Sequence, residues 1–200
     1  MLIVISGFSG AGKGTVVKRL VEDYGYSLSV SATTRAPREG EQDGREYYFK
    51  TKEEFMNLID YNGFIEWAMY VENYYGTPRA FVEKELAAGH NVILEIEVQG
   101  AMNIKRQYPD AVLIFLTTPS AAVLKERLIG RGTEGSDVIE KRMKRAIEES
   151  EDMAHYEYIV VNDDLDQCVK DVNSVIVAKS CMIEENTEFM NQMKAELKAL

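Results

Sequence analysis

The segment Gly7-Phe8-Ser9-Gly10-Ala11-Gly12-Lys13-Gly14-Thr15 constrains this chain more than any other. It follows the short apolar run Leu2–Ser6 and opens a helical pattern that extends from Lys13 to about Asp23. A buried strand, a glycine-rich turn and a helix N-terminus, in that order, make a phosphate loop. The glycines let the backbone curl until successive N–H groups converge on phosphate oxygens, and the helix terminus adds positive potential. Lys13 supplies a point charge for the outer phosphates. The strict pattern has Ser or Thr directly after the lysine; here Gly14 stands there, and Thr15 brings the next hydroxyl, assigned to phosphate or Mg²⁺ contact. Alone, the loop implies binding of a nucleoside triphosphate, a property that GTPases, transport ATPases and small kinases share.

Periodicity places the loop in a fold class. Apolar runs at Asn91–Ile96, Ala111–Leu116 and Tyr158–Val161 read as buried strands. Helical patterns lie between and after them, over Gly100–Gln107, Pro119–Gly130, Asp137–Met153 (capped through Glu140) and Leu165–Lys179. Such alternation predicts a three-layer α/β core, a parallel sheet flanked by helices. The stretch from Ser31 to Phe81 breaks it and reads as an inserted lobe, leaving 1–30 and 82–182 as the core. Within the lobe, Glu46–Lys50 and Phe64–Tyr70 look like strands. Thr51 with Glu54 forms a capping box for a helix, and Pro78 suits the first turn of another that runs to about Ala88. The glycines around Arg131 predict a small mobile lid at about 130–137. Residues 183–200 read as a polar helical tail.

Charge and cysteine usage exclude several classes. The net charge is −10, which argues against a nucleic-acid coat or a polybasic membrane binder. Met1–Arg145 carries 19 basic and 20 acidic residues, whereas Ala146–Leu200 carries 4 basic and 13 acidic. All ten arginines fall in the first stretch, so an acidic chain still concentrates an arginine site. Cys168 and Cys181 suggest reduced thiols rather than a disulfide framework or a zinc motif. No apolar run reaches the roughly 18 residues of a membrane span. A cytoplasmic protein, monomeric or homodimeric, is the expectation. His90 and His155 lack a partner pattern, and neither they nor the cysteines suggest a nucleophile.

The inserted lobe narrows the ligand. Ser31-Ala32-Thr33-Thr34-Arg35-Ala36-Pro37-Arg38-Glu39-Gly40-Glu41 sets two arginines three apart, with hydroxyls just before them. Guanidinium forks pair bidentately with phosphate oxygens. Tyr47, Glu66 and the run Asn73-Tyr74-Tyr75-Gly76-Thr77 follow. A carboxylate such as Glu66 can accept from N1–H and N2–H₂ of guanine, and adenine offers no such pair.

Taken in order, these segments resemble the guanylate kinase family. The resemblance rests on SGFSGAGKGT, SATTRAPREGE, GREYYF at Gly44–Phe49, FIEWA at Phe64–Ala68, NYYGT, LEIEVQGA at Leu94–Ala101, RLIGRGTE at Arg127–Glu134 and IVVNDDLD at Ile159–Asp166. It runs from Leu2 to about Lys179. It implies ATP-dependent phosphorylation of GMP, with dGMP as a slower acceptor, and an inserted lobe that binds GMP. By the same resemblance, Ser31, Arg35, Arg38, Tyr47 and Tyr75 hold the GMP phosphate. Glu66 reads the guanine with Thr77 and Glu97. The loop residues Gly7, Ser9, Gly10, Ala11, Gly12, Lys13, Gly14 and Thr15 hold ATP. Arg127, Arg131 and Arg142 meet the ATP phosphates or the phosphoryl group in flight, Asn162 lies near the ATP base, and Mg²⁺ sits near Thr15 and, through water, Glu95. Lys13, Arg35, Arg131 and Arg142 carry the chemistry. Glu95 and Glu97 stand where the family often has Asp, and Thr77 where Ser is common. A kinase acting on AMP or dTMP, and a non-catalytic phosphopeptide-binding scaffold of the same fold, are the competing readings.

Overall fold

The structure, a computed structural model, describes residues 1–70, 72–130 and 136–200. The strand β1 (Leu2–Gly7) leads through the glycine loop into α1 (Lys13–Tyr24), which ends at Gly25 in the left-handed conformation. There follow β2 (Ser27–Ser29), β3 (Ala32–Thr33), β4 (Tyr48–Phe49), α2 (Lys52–Asp60), β5 (Phe64–Tyr70), β6 (Asn73–Pro78) and α3 (Arg79–Ala87). The chain continues with β7 (Val92–Glu95), α4 (Val98–Gln107), β8 (Val112–Thr117), α5 (Ala121–Gly130), α6 (Ser136–Ser150), β9 (Tyr158–Val161), α7 (Leu165–Ser180) and α8 (Thr187–Ala199).

Five strands form a parallel sheet in the order β2-β7-β1-β8-β9. Its centre, β1, is buried along its whole length. Period-2 alternation sends its residues to opposite faces. Ile3 and Ile5 join Val16, Val17 and Leu20 of α1 and Val169, Val172 and Ile176 of α7. Leu2 and Val4 join Val82 of α3, Ala101 and Ile104 of α4, and Ile65 of β5. Helices therefore cover both faces, and each fully buried aliphatic side chain contributes about 1.5–3 kcal/mol. The three-layer α/β architecture agrees with the alternation in the sequence.

A second sheet, β4-β3-β6-β5, carries the lobe. Its own core is aromatic: Phe55 of α2 stacks on Phe64 with ring centroids 4.5 Å apart, beside Ala32 and Tyr74. The capping box forms as anticipated, with the Thr51 hydroxyl accepting from the Glu54 N–H at 3.2 Å and the Glu54 carboxylate accepting from the Thr51 N–H at 2.7 Å. The lobe is not insulated from the core, because Ile65 packs under α3 and α4.

Three strands escape the sequence reading, and one of them, β3, is only two residues long. β2 is three residues long and pairs only with β7 at the sheet edge, too short for an alternation to register. β6 contains Gly76 and Pro78, which read as turn residues, yet pairing with β5 and β3 holds it extended. Several boundaries also move. α4 begins at Val98 rather than Gly100, α5 at Ala121 rather than Pro119, and β4 is confined to Tyr48–Phe49. α6 begins at Ser136 and gives way at Glu151 to a 3₁₀ turn. Among the described residues no helix is long and apolar enough to cross a membrane. Most of the anticipated lid, 131–135, lies outside the described residues.

Candidate active site

The C-terminal ends of β1 and β7 open onto one cavity of about 240 Å³ between the glycine loop and the lobe. Ligands of parallel α/β sheets bind at this carboxyl edge. Ser9, Gly10, Gly12, Lys13 and Gly14 line one wall. Ser31, Arg35, Arg38, Tyr47, Glu66 and Tyr75 line the other, with Glu95 and Glu97 between them and Arg142 reaching in from α6.

The loop wall is mostly backbone. Gly12 caps α1 in the left-handed conformation at φ 91°, which a side chain would strain. Ala11 donates its N–H to the Phe8 carbonyl at 3.0 Å, closing a turn, and its side chain is fully buried. Lys13 folds back over the loop and donates Nζ–H to the carbonyls of Gly7 at 2.7 Å and Phe8 at 3.3 Å. Arg142 donates to Ser9 Oγ at 2.6 Å, so α6 brings a guanidinium to the loop across a long stretch of sequence. Buried Asn162 donates to the Ala11 carbonyl at 2.8 Å and braces the loop from behind.

The lobe wall is made of side chains. Arg35 lies over the rings of Tyr47 and Phe49, its guanidinium carbon 5.3 and 5.8 Å from their centroids. Burial, then the negative field of Glu95, raises the Tyr47 phenol, so it stays a hydrogen-bond donor. Glu66 is the deepest group. It is 6% exposed, and its Oε1 accepts from the Thr77 hydroxyl at 2.6 Å. Burial pushes its carboxyl up to about 7, with the Thr77 hydroxyl and N–H opposing the shift. Its other oxygen sits over Gly100, where a Cβ would approach to 2.7 Å. That close approach explains a glycine inside α4.

Not every anticipated residue lines the cavity. Thr15 is exposed on the first turn of α1, outside the cavity wall. Thr77 is fully buried behind Glu66 and acts through it. Gly7 contributes its carbonyl to Lys13. Arg127 does not line the cavity, and its charge slightly opposes the burial that raises the Cys168 thiol to about 11. Arg131 lies outside the described residues. Gly100 and Glu149 went unread in the sequence. Glu149 of α6 is 3% exposed, holds Arg145 Nε at 3.2 Å, and is raised to about 7 by burial and then by the charge of Glu97. The glycine within a helical run was the available signal for Gly100; Glu149 looks like any other acid of an acidic helix.

Mg²⁺ takes oxygen ligands and keeps several waters, so few protein donors suffice. The chemistry fits such an ion: a Glu95 carboxylate oxygen lies 3.6 Å from where a Gly14 side chain would begin, and both residues line the cavity. Among the described residues no cluster of three or more His, Cys, Asp or Glu could by itself hold a metal.

Comparison with known proteins agrees with this arrangement. The sequence model of the guanylate kinase family matches residues 1–179. A guanylate kinase of Caldanaerobacter subterraneus is 46% identical over 197 residues, covering 98% of this chain and 96% of its own. One of Listeria innocua is 49% identical over 178 residues, covering 88% and 87%. The crystal structure of guanylate kinase from Anaplasma phagocytophilum superposes with a TM-score of 0.77 at 31% identity, covering 92% of this chain and 87% of that one. The chain belongs to the guanylate kinase family.

Proposed function

We propose that the chain transfers the γ-phosphate of ATP to GMP, giving ADP and GDP, with dGMP as a slower acceptor. The observation that carries this reading is the single cavity in which a phosphate loop faces two arginines and a buried carboxylate. Triphosphate, acceptor phosphate and guanine each find a chemically suited wall. The free thiols Cys168 and Cys181 support a reducing, cytoplasmic setting.

Phosphoryl transfer asks the protein for alignment and charge neutralisation rather than covalent chemistry. An oxygen of the GMP phosphate attacks the γ-phosphorus in line as the bond to the bridging oxygen breaks and ADP leaves. Lys13 and the loop N–H groups grip the β- and γ-phosphates. Arg35, Arg38, Ser31, Tyr47 and Tyr75 fix the acceptor phosphate and offset the repulsion between two anions. Arg142, and Arg131 with it, stabilises charge on the group in transit. Glu66, backed by Thr77 and neighboured by Glu97, accepts from guanine. Asn162 and Ser9 keep the loop and Arg142 in register. Glu95 would hold Mg²⁺ through water beside the Gly14–Thr15 turn, and the ion would supply neutralisation of phosphate charge.

A panel of acceptors tests the reading. With ATP, ADP release is expected with GMP and, more slowly, dGMP. Release with AMP or dTMP but not GMP would overturn it.

A further inference from the structure

Glu41 occupies a place that the mechanism above leaves unused. It sits in the lobe two turns of chain beyond Arg35, and both side chains are largely enclosed, at 15% exposed for Arg35 and 16% for Glu41. Its Oε1 accepts from Arg35 Nη2 at 2.9 Å, and its Oε2 accepts from the Arg38 backbone N–H at 2.7 Å. The Glu41 N–H in turn donates to the Arg38 carbonyl at 3.1 Å, which closes the turn. One carboxylate therefore joins the two segments that bear Arg35 and Arg38. Glu46 likewise accepts from a guanidinium, that of Arg45, and from the Gln42 backbone N–H, but it does so on the exposed surface.

Arg35 is fixed on its remaining sides. Nη1 donates to the Ala36 carbonyl at 2.7 Å, and the guanidinium plane lies over Tyr47 and Phe49. A guanidinium carries five N–H donors, so bonds to Glu41 and Ala36 leave capacity for a phosphate. A free arginine side chain loses rotamer entropy when it is immobilised. Here Glu41, Ala36 and the two rings hold the guanidinium through contacts internal to the lobe. Burial works against the Glu41 charge, yet the Arg35 guanidinium and the Arg38 N–H hold its carboxyl below the ordinary carboxylate value.

We propose that Glu41 is the positioning residue of the acceptor-phosphate clamp, a carboxylate that pre-orders Arg35 and the Arg38 turn without itself meeting the substrate. The proposal rests on the reading that Arg35 and Arg38 hold the GMP phosphate. Simple charge counting predicts the opposite sign, because an anion beside the clamp would repel a phosphate. Pre-ordering wins if the arginine must otherwise be immobilised on binding.

Steady-state kinetics of Glu41→Gln, Arg35→Ala and the double variant decide the matter. Glu41→Gln is expected to raise the KM for GMP about tenfold while kcat and the KM for ATP stay within about twofold. In the Arg35→Ala background the same change should add clearly less than tenfold, since only the bond to the Arg38 turn then remains to be lost. Glu41→Asp, which keeps the charge one methylene short, should give an intermediate KM with an unchanged melting temperature; it serves if Glu41→Gln folds poorly. A fall in the GMP KM on Glu41→Gln would show a competitor for the phosphate seat and overturn the proposal. An unchanged KM, where Arg35→Ala raises it, would also overturn it and leave the clamp intact. If Arg35→Ala itself leaves the GMP KM unchanged, the clamp reading fails and the proposal falls with it.

Discussion

The two walls of the cavity are built from different materials. On the donor side, the loop between β1 and α1 presents backbone N–H groups, a left-handed glycine cap and one lysine, all set on a strand buried along its whole length. On the acceptor side, the lobe presents side chains: stacked Arg35, buried Glu66, and Tyr47 and Tyr75 against each other with centroids 6.0 Å apart. Backbone groups recognise a polyphosphate by shape and charge, which every nucleoside triphosphate offers. Side chains at fixed depth recognise a base, which must be told from its relatives. The difference predicts that damage to the loop affects all acceptors alike, while damage to the lobe acts on GMP alone.

The largest effect should come from the loop. Lys13→Ala removes the cation that closes over the Gly7 and Phe8 carbonyls and that the proposed function sets against the outer phosphates. Loss of about 10²–10³ in kcat is expected, equally with GMP and dGMP. An acceptor-dependent loss would blur the division between the walls.

Next comes the lobe. Glu66→Gln replaces an acceptor-only carboxylate with an amide that offers N–H groups toward the guanine N–H groups. The KM for GMP should rise about 100-fold with the KM for ATP unchanged, because a site that leaves buried polar groups mismatched discriminates strongly. An unchanged apparent affinity for GMP would remove Glu66 from guanine recognition. Gly100→Ala approaches the same carboxylate from α4, where a Cβ would lie 2.7 Å from Oε2. The neighbour is the end of a flexible side chain, so the fold should survive and Glu66 should shift. A rise of about tenfold in the GMP KM, read beside an unchanged ATP KM, is the expected result.

The same division governs what was legible in the sequence. The donor wall is local: a strand, a turn and a helix contiguous from Leu2 to Tyr24. Each signal, from the apolar run to Gly12 and Lys13, lies within that stretch, and spacing alone exposes it. The acceptor wall draws Ser31, Tyr47, Glu66, Tyr75 and Gly100 from strands, the residues next to strands and a helix, all distant along the chain. Their clustering in one insertion was legible apart from Gly100, but the role of each of the other four came from the resemblance to a known family. β6 stayed hidden because Gly76 and Pro78 outweigh a strand pattern until β5 pairs with it. Placement against Asn162, which donates to the loop rather than standing free, needed coordinates, as did the exposure of Thr15.

The smallest effect is the one with the sharpest sign. Glu66 is held up to about 7, against an ordinary value of 4.5, because burial strips its charge of solvent and only Thr77 answers it. Guanine offers donors, so the ionised carboxylate is the binding form. Raising pH through 7 should therefore tighten GMP, with a KM about tenfold higher near pH 6 than near pH 8. The second ionisation of the GMP phosphate, near pH 6, contributes a slope of its own; the slope that disappears in Glu66→Gln belongs to the carboxyl. The same proton acts on stability in the reverse direction. Between 4.5 and 7 the folded chain retains a proton that the unfolded chain has released, so this group's contribution to stability is present below 4.5 and is lost as pH rises through 7. Glu66→Gln should thus raise the melting temperature at pH 8 relative to the parent and leave it nearly unchanged at pH 4.5. A parent KM for GMP that stays flat from pH 6 to 8, with a melting curve indifferent to Glu66→Gln at pH 8, would place the carboxylate in contact with solvent. The contrast between a backbone wall and a buried side-chain wall would then lose its deepest member.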